Sequence, residues 1–104
     1  MPVDPSYRDF VLEQLQRVVP DVTQRAMFGG VGIYSERLFF ALIADDTLYF
    51  KVDDTNRPDY EEPGMRQFDP LQYYEVPADA LEDPEALRRW AEKAIAVAAR
   101  KRGN

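Results

Sequence analysis

Lys51 is the residue whose type and place first suggest chemistry. It is a lone cation in Leu48-Tyr-Phe-Lys-Val52, a run that is otherwise apolar or aromatic. Burial there would lower its pKa and activate the amine as a nucleophile. The commoner arrangement is a lysine whose stem lies on apolar surface while its head stays in water or on an acid. That bland reading is adopted, because little in the chain would assist a nucleophile. The 104 residues include no histidine and no cysteine. This removes the imidazole base, the thiolate nucleophile, any disulfide and the usual zinc ligands. Serine occurs only at Ser6, near a helix cap, and at Ser35, read as part of a turn.

Two other groups deserve the same test. Asp45-Asp46 and Asp53-Asp54 are adjacent carboxylates. Neighbours on a strand point to opposite faces and rarely chelate together. Asp53-Asp-Thr-Asn56 also lacks the spacing and glycine of a calcium loop. These acids read as solvated turns. Gly29-Gly30-Val-Gly32 resembles a phosphate loop in glycine content. A dinucleotide fingerprint needs such glycines to open a helix. Here they lead into more β sequence, so Gly29-Gly30 reads as another tight turn or a bulge that bends one long strand, or as room for a bulky neighbour. No catalytic residue, metal ligand or cofactor site is assigned.

Composition points to one globular domain over residues 1–104. The chain is 45% hydrophobic and 12% aromatic, which excludes a disordered tail. Its longest apolar run, Leu38–Ala44, is far short of the ~20 residues that span a bilayer. The opening Met-Pro-Val-Asp-Pro has no basic or apolar stretch of a signal peptide, so a cytoplasmic protein without membrane contact is expected. Net charge is -6, unevenly spread. Residues 84–104 hold six cations against Glu85 and Glu92, which leaves -10 on the first 83 residues. Arg88, Arg89, Arg100, Lys101 and Arg102 are therefore candidate nucleic-acid contacts, though weak ones. The acidic body repels nucleic acid at long range, and no aromatic is interleaved for base stacking. Cations at a helix end are explained more simply by the helix dipole.

The elements follow from pattern. Asp4 caps a helix from Pro5 to Val19, with Tyr7, Phe10, Val11, Leu15 and Val18 as its apolar stripe. Val22–Tyr34, Leu38–Ala44 and Thr47–Val52 are β segments separated by Ser35-Glu36 and Asp45-Asp46. Residues 53–70 read as a loop, with Met65–Phe68 as a short edge strand. Gln72–Val76 adds a strand and Asp79–Leu81 a turn. Asp83 and Pro84 open a last helix whose stripe includes Leu87, Trp90, Ala91, Ala94 and Ala98. Trp90 is expected against the sheet, and Gly103 ends the helix. The sum is an α+β fold, α-β(n)-α. A mostly antiparallel sheet of about four to five strands carries the N- and C-terminal helices.

Two-residue loops at Ser35-Glu36 and Asp45-Asp46 fix a register in which Lys51 faces Phe40 and Phe40 faces Val31. It puts Arg25 about six residues along the strand from that row, too far for an anion site shared with Lys51. One face then carries Phe39, Ala41, Ile43, Leu48, Phe50 and Val52 and is assigned to the helices. The other carries Val31, Ile33, Phe40, Leu42, Tyr49 and Lys51. It is too apolar to meet water comfortably and becomes the candidate partner surface, with a homodimer as the simplest occupant.

The string Arg25-Ala-Met-Phe-Gly-Gly-Val-Gly-Ile-Tyr34 carries a resemblance. Leu38–Ala44, Leu48–Asp53, Tyr73-Tyr-Glu-Val-Pro77 and the terminal helix follow it in order. Together they resemble the N-terminal domain of the TfoX/Sxy family of bacterial competence regulators, over nearly the whole chain. Those regulators continue into a C-terminal helical domain, so the resemblance is to a stand-alone copy. It implies an α-β(n)-α fold and a role as a non-enzymatic transcriptional co-regulator acting through protein contacts, with no cofactor. A nucleic-acid-binding accessory protein, or a small ligand-binding protein or enzyme around Lys51, stands as the alternative.

Overall fold

Asp4 begins the first helix as expected, its carboxylate accepting from the Ser6 N–H at 2.9 Å. In the computed structural model this helix, α1, runs Pro5–Val18. The structure describes residues 4–27 and 29–102. Met1–Val3, Phe28, Gly103, Asn104 and the Arg102 side chain lie outside it, and so does the expected stop at Gly103. Four strands follow: β1 (Val22–Met27), β2 (Gly30–Ser35), β3 (Leu38–Ala44) and β4 (Thr47–Lys51). After a short helix α2 (Arg57–Glu61) come β5 (Tyr73–Glu75), α3 (Ala78–Glu82) and the long α4 (Pro84–Arg102). The strands form one antiparallel sheet in the order β1-β2-β3-β4-β5. The fold is the expected α+β sheet with N- and C-terminal helices.

The helices share one face of the sheet. Val11, Leu12 and Leu15 of α1 and Leu87, Ala91, Ala94 and Ala98 of α4 meet Ile33, Ile43, Leu48, Phe50 and Val52 in one core. The alanines of α4 let it lie close on the strands. Asp83 caps α4, accepting from the N–H groups of Glu85 (3.1 Å) and Ala86 (3.4 Å). Two short helices stand where a loop and a turn are expected. The segment read as a loop contains α2, and the expected turn at Asp79–Leu81 is α3. Trp90 also departs from expectation. It is half-buried and stands edge-on to Tyr60 of α2, with ring centroids 4.7 Å apart. It packs at the margin of the core and joins α4 to α2.

Register separates what the sequence gets right from what it gets wrong. The Asp45-Asp46 loop is as expected and gives Ala41↔Phe50, Leu42↔Tyr49 and Ile43↔Leu48. Both aspartates have positive φ, as do Glu36 and Arg37, the left-handed pair of a type I′ hairpin. The second loop is thus Glu36-Arg37, one residue later than read. Ser35 closes β2, buried, with its hydroxyl donating to the Pro20 carbonyl at 2.6 Å. The Val22–Tyr34 segment is two strands, β1 and β2, whose ends pair Met27 with Gly30. Arg25 therefore sits opposite Gly32. It stays apart from Lys51 because two strands, roughly 14 Å of sheet, separate β1 from β4.

The larger correction is a bulge. Ile33 pairs with Ala41, but Tyr34 pairs with Phe39, so Phe40 is the extra residue. Phe40 turns inward beside Ala41, and Phe39 is sent to the opposite face. Val31, Ile33 and Phe40, three of the six candidate surface residues, consequently lie in the helix-side core. They are buried and form no partner surface. The other three, Leu42, Tyr49 and Lys51, lie on the second face.

Candidate functional site

The second face of the sheet is aromatic. Tyr34 of β2 stacks on Phe39 of β3 at 5.1 Å, and Phe39 meets Tyr73 of β5 at 5.7 Å. The bulge at Phe40 creates this row, since it alone turns Phe39 outward. Lys51 ends β4 opposite Tyr73. Its ammonium lies 5.1 Å from the Phe39 centroid and 5.7 Å from that of Tyr73. A cation over ring faces is attracted by their quadrupoles. Burial pushes the Lys51 pKa down, and the nearby charge of Lys101 pushes it the same way. Burial also raises the Tyr73 phenol, with the neighbouring Tyr34 adding to it.

A loop covers part of this face. Residues 66–68 fold back beside β5, with the Phe68 N–H donating to Tyr73 O (2.7 Å) and the Glu75 N–H to Arg66 O (2.8 Å). The expected edge strand near Met65–Phe68 is this segment. Phe68 then packs on Tyr49 at 4.9 Å. Leu42 and Tyr49 are left only 8% and 5% exposed within one chain. An apolar groove of about 240 Å³ remains, lined by Met27, Phe39, Leu42, Phe68, Leu71 and Tyr73 among others.

The end of β4 is held by a residue that sequence reading missed. Asn56 is 1% exposed. Its carbonyl accepts from the Asp53 N–H at 2.9 Å, and its amide donates to Lys51 O at 3.2 Å. An Asn three residues after an Asp is a turn signal, but nothing local says that it is buried. Asn56→Ala leaves both backbone groups unpaired and is expected to cost about 1–3 kcal/mol, read by urea unfolding. An unchanged midpoint would show that water replaces the amide.

Beside it, Asp53 anchors α4. Its carboxylate accepts from Arg100 at 3.0 Å and from the Thr55 hydroxyl at 2.5 Å. Partial burial pushes its pKa up, but the hydrogen bonds of Thr55 and Arg100 and the charge of Arg100 outweigh it. The carboxyl is held below its usual 3.8. A depressed carboxylate contributes stability that is present above the unfolded pKa and lost as pH falls through the folded one. Asp53→Asn should therefore lower the unfolding midpoint at pH 7. The gap to wild type should narrow as pH drops below about 4. A gap independent of pH would remove the charge from the explanation.

The candidate nucleic-acid residues do not form one stripe. Arg100 is taken by Asp53, and Lys93 of the same helix by Asp59 at 2.7 Å. Arg89 lines a mixed-charge cleft of about 520 Å³ with Asp59, Glu62, Trp90 and Lys93. Arg88 is exposed nearby. Lys101 sits roughly 18 Å along α4 from Arg89, at 1.5 Å per residue. It lines a surface pocket with Lys51 instead. The Arg102 side chain lies outside the described residues.

Among the described residues no three of His, Cys, Asp and Glu are grouped so as to hold a metal ion. No helix among them is long and apolar enough to cross a membrane. A comparison with curated proteins finds no match. The family comparison does: residues 13–98, from within α1 to the last turns of α4, match the model of the TfoX N-terminal domain, and the chain belongs to that family.

Proposed function

We propose that the chain is a non-enzymatic regulatory domain that acts through protein contacts, and that its first contact is a second copy of itself along β1. The bare β1 edge carries the reading. The sheet has two edges, and the outer side of β5 is already paired by residues 66–68. On the other side, among the described residues, β1 pairs only with β2, and Thr23–Ala26 are exposed. A six-residue edge with unpaired N–H and C=O groups is a template for another strand. Antiparallel pairing with a copy closes about a two-fold axis and leaves no open end. Family membership supports the regulatory part, since the resembling competence regulators are co-regulators and not enzymes.

Light scattering at micromolar concentration is the test. Wild type is expected at twice the 12.0 kDa of one chain. With the axis at Gln24, Thr23→Lys sets a cation opposite Arg25 of the copy and Gln24→Lys sets two cations face to face, which destabilises a strand pair. The double variant should scatter as a monomer while its unfolding midpoint stays near wild type, because both positions are exposed. Wild type that remains at 12.0 kDa up to high micromolar concentration would sink the self-pairing.

A further inference from the structure

Three cations of this acidic protein meet at one end of the sheet. Arg37 comes from the β2–β3 turn, Lys51 from the end of β4 and Lys101 from the last turn of α4. They line a surface pocket of about 310 Å³ with Leu38, Phe39 and Ala98, and none of the described residues that line it is an acid. The acid that could have served is occupied, since Asp53 holds Arg100 and Thr55. Among the described residues Lys51 has no carboxylate partner. Its head rests on two rings, which leaves ammonium N–H groups to donate elsewhere. The like charges of Lys51 and Lys101 beside low-dielectric walls repel each other, and an anion placed between them relieves that repulsion. The lowered Lys51 pKa has the same two sources, burial and Lys101.

The cationic pocket and the apolar groove share a wall. Phe39 lines both, and Tyr73, the second ring beneath Lys51, lines the groove. The groove runs from these rings past Leu42 and Phe68 to Leu71. Its volume of about 240 Å³ exceeds the roughly 150 Å³ apolar cavity that admits benzene. It therefore takes a tail of about that size or slightly longer, and is too small for a large multi-ring ligand. Charge at one end and apolar walls at the other define the ligand's chemistry.

We propose that Lys51, Lys101 and the groove beyond Phe39 form a binding site for a small, free amphipathic carboxylate. The head sits on the two lysines beside the Arg37 turn, and the tail crosses Phe39 and Tyr73 toward Leu42 and Leu71. A medium-chain fatty acid has this form. Binding uses a face distinct from the β1 edge, so dimer formation and ligand binding are separate measurements.

Titration of the full chain with octanoate, followed by amide chemical shifts, tests this. Saturable shifts are expected at Lys51, Phe39, Tyr73 and Leu71. Octanol, which keeps the tail and loses the charge, should bind about tenfold more weakly or worse. Butyrate and inorganic phosphate, which lack the tail, should also bind at least tenfold more weakly. Lys51→Gln should remove the preference for octanoate over octanol. Lys101→Gln, at an exposed helix end, should reduce that preference severalfold and guards against a folding defect at position 51. Leu71 is 45% exposed, so Leu71→Asp should keep the fold and weaken octanoate and octanol alike. The proposal is overturned by shifts that do not saturate, or by octanol binding as well as octanoate. Phosphate matching octanoate, or octanoate binding unmoved by both lysine variants, would overturn it too.

Discussion

Phe40→Ala is expected to cost about 3–5 kcal/mol, and Phe40→Glu to leave no folded population. A chain of this length has roughly 5–15 kcal/mol in total, so even the alanine removes a large share. Phe40 is 0% exposed and packs on Phe50 with ring centroids 5.6 Å apart. Removing the ring opens a cavity beneath α4 that rigid strands cannot close. The glutamate would bury a charge with no partner. Its neighbour Phe39 is half-buried on the second face, and Phe39→Ala should cost only about 1–2 kcal/mol. Urea unfolding of the pair checks the bulge directly. Without it, Phe39 would lie under the helices and the two costs would be reversed. A Phe40→Glu chain that unfolds cooperatively near the wild-type midpoint would show the bulge to be misplaced.

The same bulge marks the limit of what the sequence discloses. Helix caps are local signals, and Asp4 with Pro5 and Asp83 with Pro84 were readable because each acts within one turn. The Asp45-Asp46 loop was readable because polar residues interrupt two apolar runs, and the β3–β4 register followed from it. A bulge adds no distinctive residue. β3 reads Leu-Phe-Phe-Ala-Leu-Ile-Ala, with no polar position to show which side chains face water. One extra residue in such a run reverses the facing of everything beyond it and leaves the pattern unchanged. Hence the expected facing holds for β4, while Val31 and Ile33 lie on the face opposite to the one expected. Helix α2 was hidden for another reason. Five residues cannot form a stable helix alone, and its buried Tyr60 is held by Trp90, 30 positions away in the chain. In the candidate site, Lys51 stood out as a cation among hydrophobics. Its companions did not, because Tyr73 and Lys101 reach it only through the β4–β5 pairing and the length of α4.

Gly30→Ala is expected to cost about 3 kcal/mol or more, whereas Gly32→Ala, two residues on, should cost about 1 kcal/mol or less. The difference lies in what a new methyl would meet. At Gly30 a Cβ would fall 2.2 Å from the carbonyl oxygen of Ile43 and 3.3 Å from its carbon. Both are backbone atoms, so β2 and β3 must separate where Val31 pairs with Ile43. The floor of the apolar groove, which includes Gly30, Val31 and Ile43, would move with them. At Gly32 the Cβ would fall 2.5 Å from Met27 Cε and 2.9 Å from its sulfur. These atoms end an unbranched, adaptable side chain that can swing aside. The Phe39 ring at 3.2 Å must also give slightly. Against that strain, alanine restricts the unfolded chain and returns about 0.4–1 kcal/mol wherever the native backbone accepts it. Denaturant midpoints for the two variants should therefore fall in the order wild type, Gly32→Ala, Gly30→Ala, with a wide gap before the last. Equal losses would show that the constraint is shared along the Gly-Gly-Val-Gly string and does not arise from the close approach of Gly30 to β3. The groove offers a second reading of the same substitutions. Gly30→Ala should also weaken octanoate binding, and more than Gly32→Ala, which shifts the end of Met27 and slightly the Phe39 ring but leaves the backbone floor of the groove in place.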